Sequence, residues 1–281
     1  MAKKKAKKTP DKPLAVVEHL DCVVGMQKLS YDSIHLVVAD PPYNLGRKYH
    51  NYDDRRPRGE YLCWATDWLF EVYRVLAKHG SFFLFMHDSL VSEMDVLCKD
   101  MGFHKRGQII WAYTFGVNCA RNFTRAHTHI LYYTKTKTRY TFNQHDKDLR
   151  VPSARQLVYN DKRANPAGRL PDDVWILRAD ELAAAHGNQG DVWLQSRVCG
   201  TFHERVRGMD NQLPIPIVAR ILQACSNPGE AVLDPFLGTG TTGVAAAMMG
   251  RNFFGYDVSG RYCKMAAKRI SFAGATVRSG K

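Results

Sequence analysis

Apolar positions along the chain follow two periods in alternation. Leu14-Ala15-Val16-Val17 and Ile34-His35-Leu36-Val37-Val38-Ala39 are short β-branched runs of the kind buried on both faces of a parallel sheet, and each leads to an aspartate, Asp21 and Asp40. Over 61–78 the spacing becomes helical, through Leu62, Leu69, Val72, Val75 and Leu76, with Lys78-His79-Gly80 as the expected stop. A strand over Phe82–Met86, a helix over Val91–Leu97 and strands over Gln108–Tyr113 and Ile130–Thr134 follow. From about 135 to 200 the period is lost in Pro, Gly, Asn and Arg, which marks an inserted domain or long loop region. Regular signals return as a helix over Pro214–Cys225, a strand over Ala231–Leu233, a helix over Thr242–Met249, a strand over Phe253–Tyr256 and a helix over Arg261–Ile270. This alternation predicts an α/β fold with a doubly wound, mostly parallel sheet and helices on both faces. No internal repeat competes with it.

Charge changes the picture more than composition does. The 281 residues are 45% hydrophobic, enough for a full core, and carry a formal net charge of +13. Residues 1–12 hold six lysines and one aspartate, and the segment 1–13 is expected as a disordered basic tail. The stretch 113–170 holds eleven Lys and Arg against three Asp, so a second basic excess lies in one segment interleaved with aromatics and histidines. A polyanion partner is one reading of it, and a solvated basic surface the other. No apolar run is long enough for a membrane span or a signal peptide, which reads as a soluble, cytoplasmic protein. Seven cysteines stand singly, with no Cys-x-x-Cys pair, and are expected as reduced, mostly buried thiols.

Two local motifs carry candidate chemistry. Asp234-Pro235-Phe236-Leu237-Gly238-Thr239-Gly240-Thr241-Thr242-Gly243 falls at a strand-to-helix junction, where glycines let the backbone approach a nucleotide-like cofactor. Its Gly-x-Gly-x-x-Gly spacing, with Asp257 nineteen residues after Gly238, also fits a dinucleotide fingerprint. A dehydrogenase and a plain structural turn both stay open on these residues alone. The Walker pattern is absent. Upstream, Asp40-Pro41-Pro42-Tyr43-Asn44 presents a carboxylate, stiff carbonyls without N–H groups and an aromatic face together at a strand end. Such a turn can accept hydrogen bonds from an amino group while Tyr43 stacks on the attached ring, a description that fits the exocyclic amine of a nucleobase.

With these residues in view, the chain resembles the β-class S-adenosylmethionine-dependent DNA amino-methyltransferases. In that arrangement an Asp-Pro-Pro-Tyr motif, here 40–43, precedes an Asp-Pro-Phe-x-Gly-x-Gly-Thr-Thr motif, here 234–242, with a basic variable segment between. The resemblance extends over nearly all of 14–271. Asp21-Cys22 resembles the acidic cofactor position after the first strand, Asn211-Gln212-Leu213-Pro214 the element opening the helix before the cofactor strand, and Gly255-Tyr256-Asp257-Val258-Ser259 the ribose-binding turn, with Asp257 where many relatives carry Glu. It implies a Rossmann-like methyltransferase sheet with a catalytic half at 14–134, an inserted target-recognition region at 135–200, a cofactor-binding half at 201–273 and a C-terminal tail at 274–281.

The implied reaction is site-specific transfer of a methyl group from S-adenosylmethionine to the N6 amine of an adenine flipped out of DNA. Asp40, Pro41, Pro42 and Tyr43 are then catalytic, the amine hydrogens going to the Asp40 carboxylate and the Pro41 carbonyl. Cofactor contacts fall to Asp21, Cys22, Gln212, Pro214, Asp234, Pro235, Phe236, Gly238, Gly240, Thr241, Thr242 and Asp257. Candidate DNA contacts are Arg155, Lys162, Arg163 and Arg169, and residues 44–60 are either a mobile loop that closes on DNA or an ordinary surface loop. No metal is expected, since His203-Glu204 lacks the His-Glu-x-x-His pattern and His127 and His129 have no further ligand set. The implied partners are DNA, a second copy of the chain and a cognate restriction endonuclease. A cytosine-N4 enzyme of the same fold, whose members more often carry Ser in place of Asp40, and a catalytically silent nucleic-acid-binding subunit remain the alternatives. An RNA or protein amide substrate is a weaker one.

Overall fold

The computed structural model describes residues 12–49, 52–117, 120–121, 123–176, 198, 205–206 and 212–279. In chain order the elements are β1 (Leu14–His19), α1 (Cys22–Gln27), β2 (Ile34–Ala39), β3 (Lys48–Tyr49), β4 (Tyr52–Asp53), α2 (Arg58–Val75), β5 (Leu76–Met86), α3 (Val91–Asp100), β6 (His104–Val117), β7 (Arg125–Thr134), α4 (Ala154–Leu157), β8 (Val174–Ile176), α5 (Ile215–Cys225), β9 (Ala231–Asp234), α6 (Thr241–Met248), β10 (Asn252–Asp257), α7 (Gly260–Phe272) and β11 (Thr276–Ser279). Among the described residues nine strands form one sheet in the order β11-β1-β10-β9-β2-β5-β7-β6-β8, beside the small hairpin β3-β4. Within the large sheet only β7 runs antiparallel to its neighbours, β5 and β6. The doubly wound, mostly parallel sheet expected from the sequence is therefore found.

Strand periodicity decides which helices cover which face. Leu36, Val38, Phe83 and Phe85 share one cluster with Ile217 of α5, Val244 of α6 and Ile270 of α7. Val37, Ala39, Phe82 and Leu84, one residue out of phase, pack with Met26 of α1, Trp68 of α2 and Met94 of α3. In α2, Tyr61, Ala65, Trp68, Leu69, Val72 and Val75 form the buried stripe. Every residue of β2 from Leu36 to Ala39 is buried, as a central strand of a two-sided sheet requires.

This layout fixes where a ligand can bind. From β9 the chain passes through α6 to β10 on one side, whereas from β2 it passes through α2 to β5 on the other. Adjacent β2 and β9 therefore flank the point where strand order reverses, and their carboxyl ends carry Asp40 and Asp234.

Several local expectations differ from what is found. The helix expected over 61–78 spans Arg58–Val75, and Lys78-His79-Gly80 lies inside β5. Residues 76–81 of β5 oppose only 34–36 of β2, so the strand bulges there. A Cβ on Gly80 would come within 3.0 Å of the His35 carbonyl oxygen, which makes this glycine a requirement of strand packing and not a helix stop. Helix α1, too short for a periodic signal, is started by Asp21, whose side chain accepts the Val23 N–H. The segment expected as a C-terminal tail carries β11, which pairs in parallel with β1; four residues give too little alternation to be read as a strand. The expected basic tail falls, but for 12 and 13, outside the described residues. Of the expected recognition region, 135–176 and 198 are described: Leu149 and Val151 are buried, Val151 bridges Arg169, and β8 extends the sheet edge. Cys63 is exposed, while Cys22, Cys98, Cys225 and Cys263 are buried as expected, all of them free thiols. Among the described residues no helix is long and apolar enough to cross a membrane.

Candidate active site

A cavity of about 440 Å³ opens over the carboxyl ends of β1, β2, β9 and β10 and reaches β6 and β7. The Asp40-Pro41-Pro42-Tyr43 turn forms part of its floor. The Tyr43 hydroxyl donates to Asp40 Oδ1, and no hydrogen bond among the described residues reaches Oδ2. Enclosure by protein pushes the Asp40 pKa up to about 7, opposed by the Tyr43 bond. The Pro42 carbonyl is occupied by the hydroxyl of buried Tyr61 at 2.8 Å. The Pro41 carbonyl receives no donor from the described residues, so one carboxylate oxygen and one fixed carbonyl stand open together.

The second turn is built differently. Asp234 Oδ1 accepts the Phe236 N–H at 3.0 Å and Oδ2 accepts the Thr242 hydroxyl at 2.7 Å. Burial raises this carboxyl to about 7, with smaller contributions from Asp40 and Asp257. Gly238, at φ +49°, donates to Asp257 Oδ2 at 2.9 Å, and Ser259 N–H donates to Asp257 Oδ1 at 2.7 Å. Burial raises the Asp257 pKa as well. Thr241, first residue of α6, lines the cavity with a buried hydroxyl that has no hydrogen-bond partner among the described residues. Phe236 closes this side by packing on Trp64 and Trp68, at centroid distances of 5.7 and 5.2 Å.

The structure sorts the expected site residues. Asp40, Pro41, Pro42 and Tyr43 line the cavity, as do Asp21, Cys22, Gln212, Asp234, Pro235, Phe236, Gly238, Thr241, Thr242 and Asp257. Gln212 is buried and its Oε1 accepts the Val206 N–H at 2.9 Å. Pro214 and Gly240 do not line it. Pro214 is a buried residue at the start of α5. Gly240, at φ +77°, would place a Cβ 2.7 Å from that of Ala266, so packing of α6 on α7 demands it. Gly243 has the same reason, with Ile270 at 2.4 Å; of the three fingerprint glycines only Gly238 faces the cavity. Arg155, Lys162, Arg163 and Arg169 also lie away from it. Arg163 pairs with Asp161 at 3.0 Å and Arg169 with Asp172 at 2.7 Å.

Sequence reading missed the opposite wall, made by His87 after β5, Trp111 and Tyr113 of β6, and Arg125, His127 and Thr128 of β7. Trp111 and Tyr113 share one face of a strand and meet edge to face at 5.4 Å; their alternation was the available signal. The loop after the first turn also walls the cavity through Leu45, Arg47, Tyr52 and Arg56. It is held by the buried Asp54 carboxylate, which accepts the N–H groups of Asn44 and Leu45, and by two bonds between the Asn44 side chain and the Arg56 backbone. The Arg56 guanidinium lies 5.1 Å from the Trp64 ring centroid.

Comparison with known proteins agrees with this geometry. The family model for DNA methylases of the N6/N4 type matches residues 34–268. Type II methyltransferase M.HpaI of Haemophilus parainfluenzae is 32% identical over 251 residues, covering 89% of this chain and 72% of that protein. DNA adenine methyltransferase YhdJ of Escherichia coli is 29% identical over 262 residues, covering 91% and 82%. The solved structure of TTHA0409 of Thermus thermophilus, complexed with S-adenosyl-L-methionine, superimposes with a TM-score of 0.60 at 22% identity over 96% of this chain and 99% of that one, which shows a common fold. The chain belongs to the N6/N4 DNA methylase family, the S-adenosylmethionine-dependent amino-methyltransferases.

Proposed function

We propose that this protein transfers a methyl group from S-adenosylmethionine to the N6 amine of an adenine turned out of a DNA duplex. The observation that carries the reading is the pair of open acceptors, Asp40 Oδ2 and the Pro41 carbonyl, in a cavity whose other side is the Gly238 turn and Asp257. Aspartate at position 40 and the similarity to the Escherichia coli DNA adenine methyltransferase favour adenine over cytosine N4.

The residues present fit the cofactor. Asp257, fixed by one backbone N–H on each oxygen, is only half-buried and keeps a second lone pair on each oxygen for ribose hydroxyls. Thr241 holds a buried, unpartnered hydroxyl at a helix N-terminus, where an anionic group such as the cofactor's carboxylate is favoured. Bound there, S-adenosylmethionine supplies a methyl group activated by a positively charged sulfonium.

The chain's own residues do the rest. An aromatic amine is a weak nucleophile because its lone pair is shared with the ring. Two acceptors that take its two hydrogens hold the nitrogen pyramidal with the lone pair aimed across the cavity. Tyr43 fixes the carboxylate by bonding one oxygen, and its ring, 6.3 Å from that of His87, bounds the base. Each hydrogen bond to a charged group is worth about 1.5–3 kcal/mol, whereas correct alignment is worth about 7–11 kcal/mol, so positioning outweighs base catalysis. After transfer the nitrogen sheds its surplus proton, and Asp40, with a pKa of about 7, accepts it near neutral pH.

Nucleoside mass spectrometry after incubating DNA with the chain and methyl-labelled S-adenosylmethionine tests the reading, with Asp40→Ala as control. Labelled N6-methyladenine lost in the control is the expected result. Labelled N4-methylcytosine keeps the acceptor mechanism and overturns the base; absence of label, with cofactor bound, overturns the activity. In this reading the chain works on DNA in the cytoplasm. A second copy and a cognate restriction endonuclease are further partners it carries, the first tested by sedimentation with and without DNA.

A further inference from the structure

The cavity is electrically polarised. Asp40, Asp234 and Asp257 lie deep within it, whereas Arg47 and Arg125 line it from exposed positions at its edge. Arg125 is the first residue of β7, and its Nη1 donates to His87 Nε2 at 2.6 Å and to Asp88 Oδ1 at 3.1 Å. A guanidinium only donates, so His87 Nε2 is the acceptor, while Nδ1 on the other side of the ring lies 2.8 Å from Asp88 Oδ1, 2.9 Å from the Ser89 hydroxyl and 3.2 Å from the Ser89 backbone nitrogen. Burial, opposed by Asp88, lowers the His87 pKa, in keeping with a neutral ring. One guanidinium nitrogen is thus clamped by two side chains, while Nε and Nη2 have no hydrogen-bond partner among the described residues. Those two donors are a fork suited to a phosphate.

Position joins this fork to the reacting group. His87, which holds Arg125, also faces the Tyr43 ring, and Tyr43 holds Asp40. Rim cation and deep carboxylate are therefore two side chains apart, on the wall where a flipped base and its own backbone would lie. Arg163 and Arg169, by contrast, spend their forks on Asp161 and Asp172.

We infer that Arg125, oriented by His87 and Asp88, binds a backbone phosphate flanking the flipped nucleotide. The inference rests on the DNA reading above and adds a residue to it. The test uses a duplex containing the sequence that the wild-type chain methylates, with uncharged methylphosphonate linkages placed one at a time around the target base. Arg125→Gln and the methylphosphonate at one flanking position should each weaken DNA binding about tenfold or more, and together no more than either alone. The slope of log K against log salt should fall by about one, and the KM for DNA should rise far more than kcat falls. Cofactor binding stays at the wild-type level, and Arg125→Lys recovers part of the affinity; should Arg125→Gln melt early, the same cycle is run with Arg125→Lys. Additive losses at every linkage, or wild-type affinity in Arg125→Gln, would overturn the assignment. A wild-type chain that binds S-adenosylmethionine yet labels no DNA would instead overturn the methyltransferase reading, and the phosphate contact with it.

Discussion

Asp40 and Asp234 each close a buried parallel strand, each precede a proline, and each are pushed by burial to a pKa of about 7. They differ in what is left over. Asp234 spends both oxygens inside the protein, on the Phe236 N–H and the Thr242 hydroxyl, and so fixes the turn that follows. Asp40 spends one, on Tyr43, and the rigid turn after it brings no backbone N–H to the other. The same dipeptide at neighbouring strand ends thus makes a structural clamp in one place and an open acceptor in the other. Between Asp40 and Asp234, burial does not separate the two roles; the count of satisfied oxygens does.

Substituting the two aspartates should break this comparison most clearly. Asp40→Ala removes the acceptor, and methyl transfer should fall by about 10²-fold or more while cofactor affinity holds. Asp234→Ala strands a buried hydroxyl and N–H, at about 1–3 kcal/mol each, so it should lower the melting temperature and weaken cofactor binding. Titration calorimetry and thermal melts of both variants check this. Equal loss of cofactor binding in the two would erase the distinction between clamp and acceptor.

The pH dependence carries the next effect. An amine acceptor must be ionised, so kcat/KM should rise with pH through about 7, the value for Asp40. Tyr43→Phe keeps the ring and removes the bond that favours the carboxylate, so its acid limb should move to higher pH and its rate should drop about tenfold. Stability runs the opposite way. A carboxyl whose pKa rises from 3.8 unfolded to about 7 folded holds its proton in the native state over that interval. Its contribution is therefore full below 3.8 and is lost as pH rises through 7. Asp40→Asn should melt above the wild type at pH 8, and the gap should close toward pH 4. A gap independent of pH would mean that Asp40 is not the strained group.

The strand ends were legible because their chemistry is local: Asp-Pro-Pro-Tyr and Asp-Pro-Phe-Leu-Gly state carboxylate, stiff turn and close approach within a few residues. The facing wall is not local. Trp111, Tyr113, Arg125 and His127 meet through the antiparallel register of β6 and β7, Trp111 opposite Thr128 and Ala112 opposite His127, and no spacing along the chain encodes such pairs. Glycines show the same limit from another side. Gly238 serves the cavity and Gly240 serves the contact with Ala266, yet in the sequence they are two equivalent members of one fingerprint.

Thr241 and Thr242 repeat the comparison on a smaller scale and give its finest test. They are consecutive, both line the cavity and both are buried, but the Thr242 hydroxyl is bonded to Asp234 whereas the Thr241 hydroxyl has no partner among the described residues. Valine has nearly the shape of threonine without the hydroxyl. Thr242→Val should destabilise the free protein by about 1 kcal/mol, because the buried Asp234 carboxylate loses a donor. Thr241→Val should leave the free protein as stable as before or slightly more so, since an unpaired buried hydroxyl is removed. Its cost should fall on cofactor affinity, by about tenfold for one lost hydrogen bond to a charged group. Melting curves with and without S-adenosylmethionine separate the two variants: the Thr241→Val protein should match the wild type without cofactor and fall short of it only when cofactor is present. If both variants lose stability equally without cofactor, the Thr241 hydroxyl is a structural group, and the fit of the cofactor's carboxylate to the start of α6 loses its support.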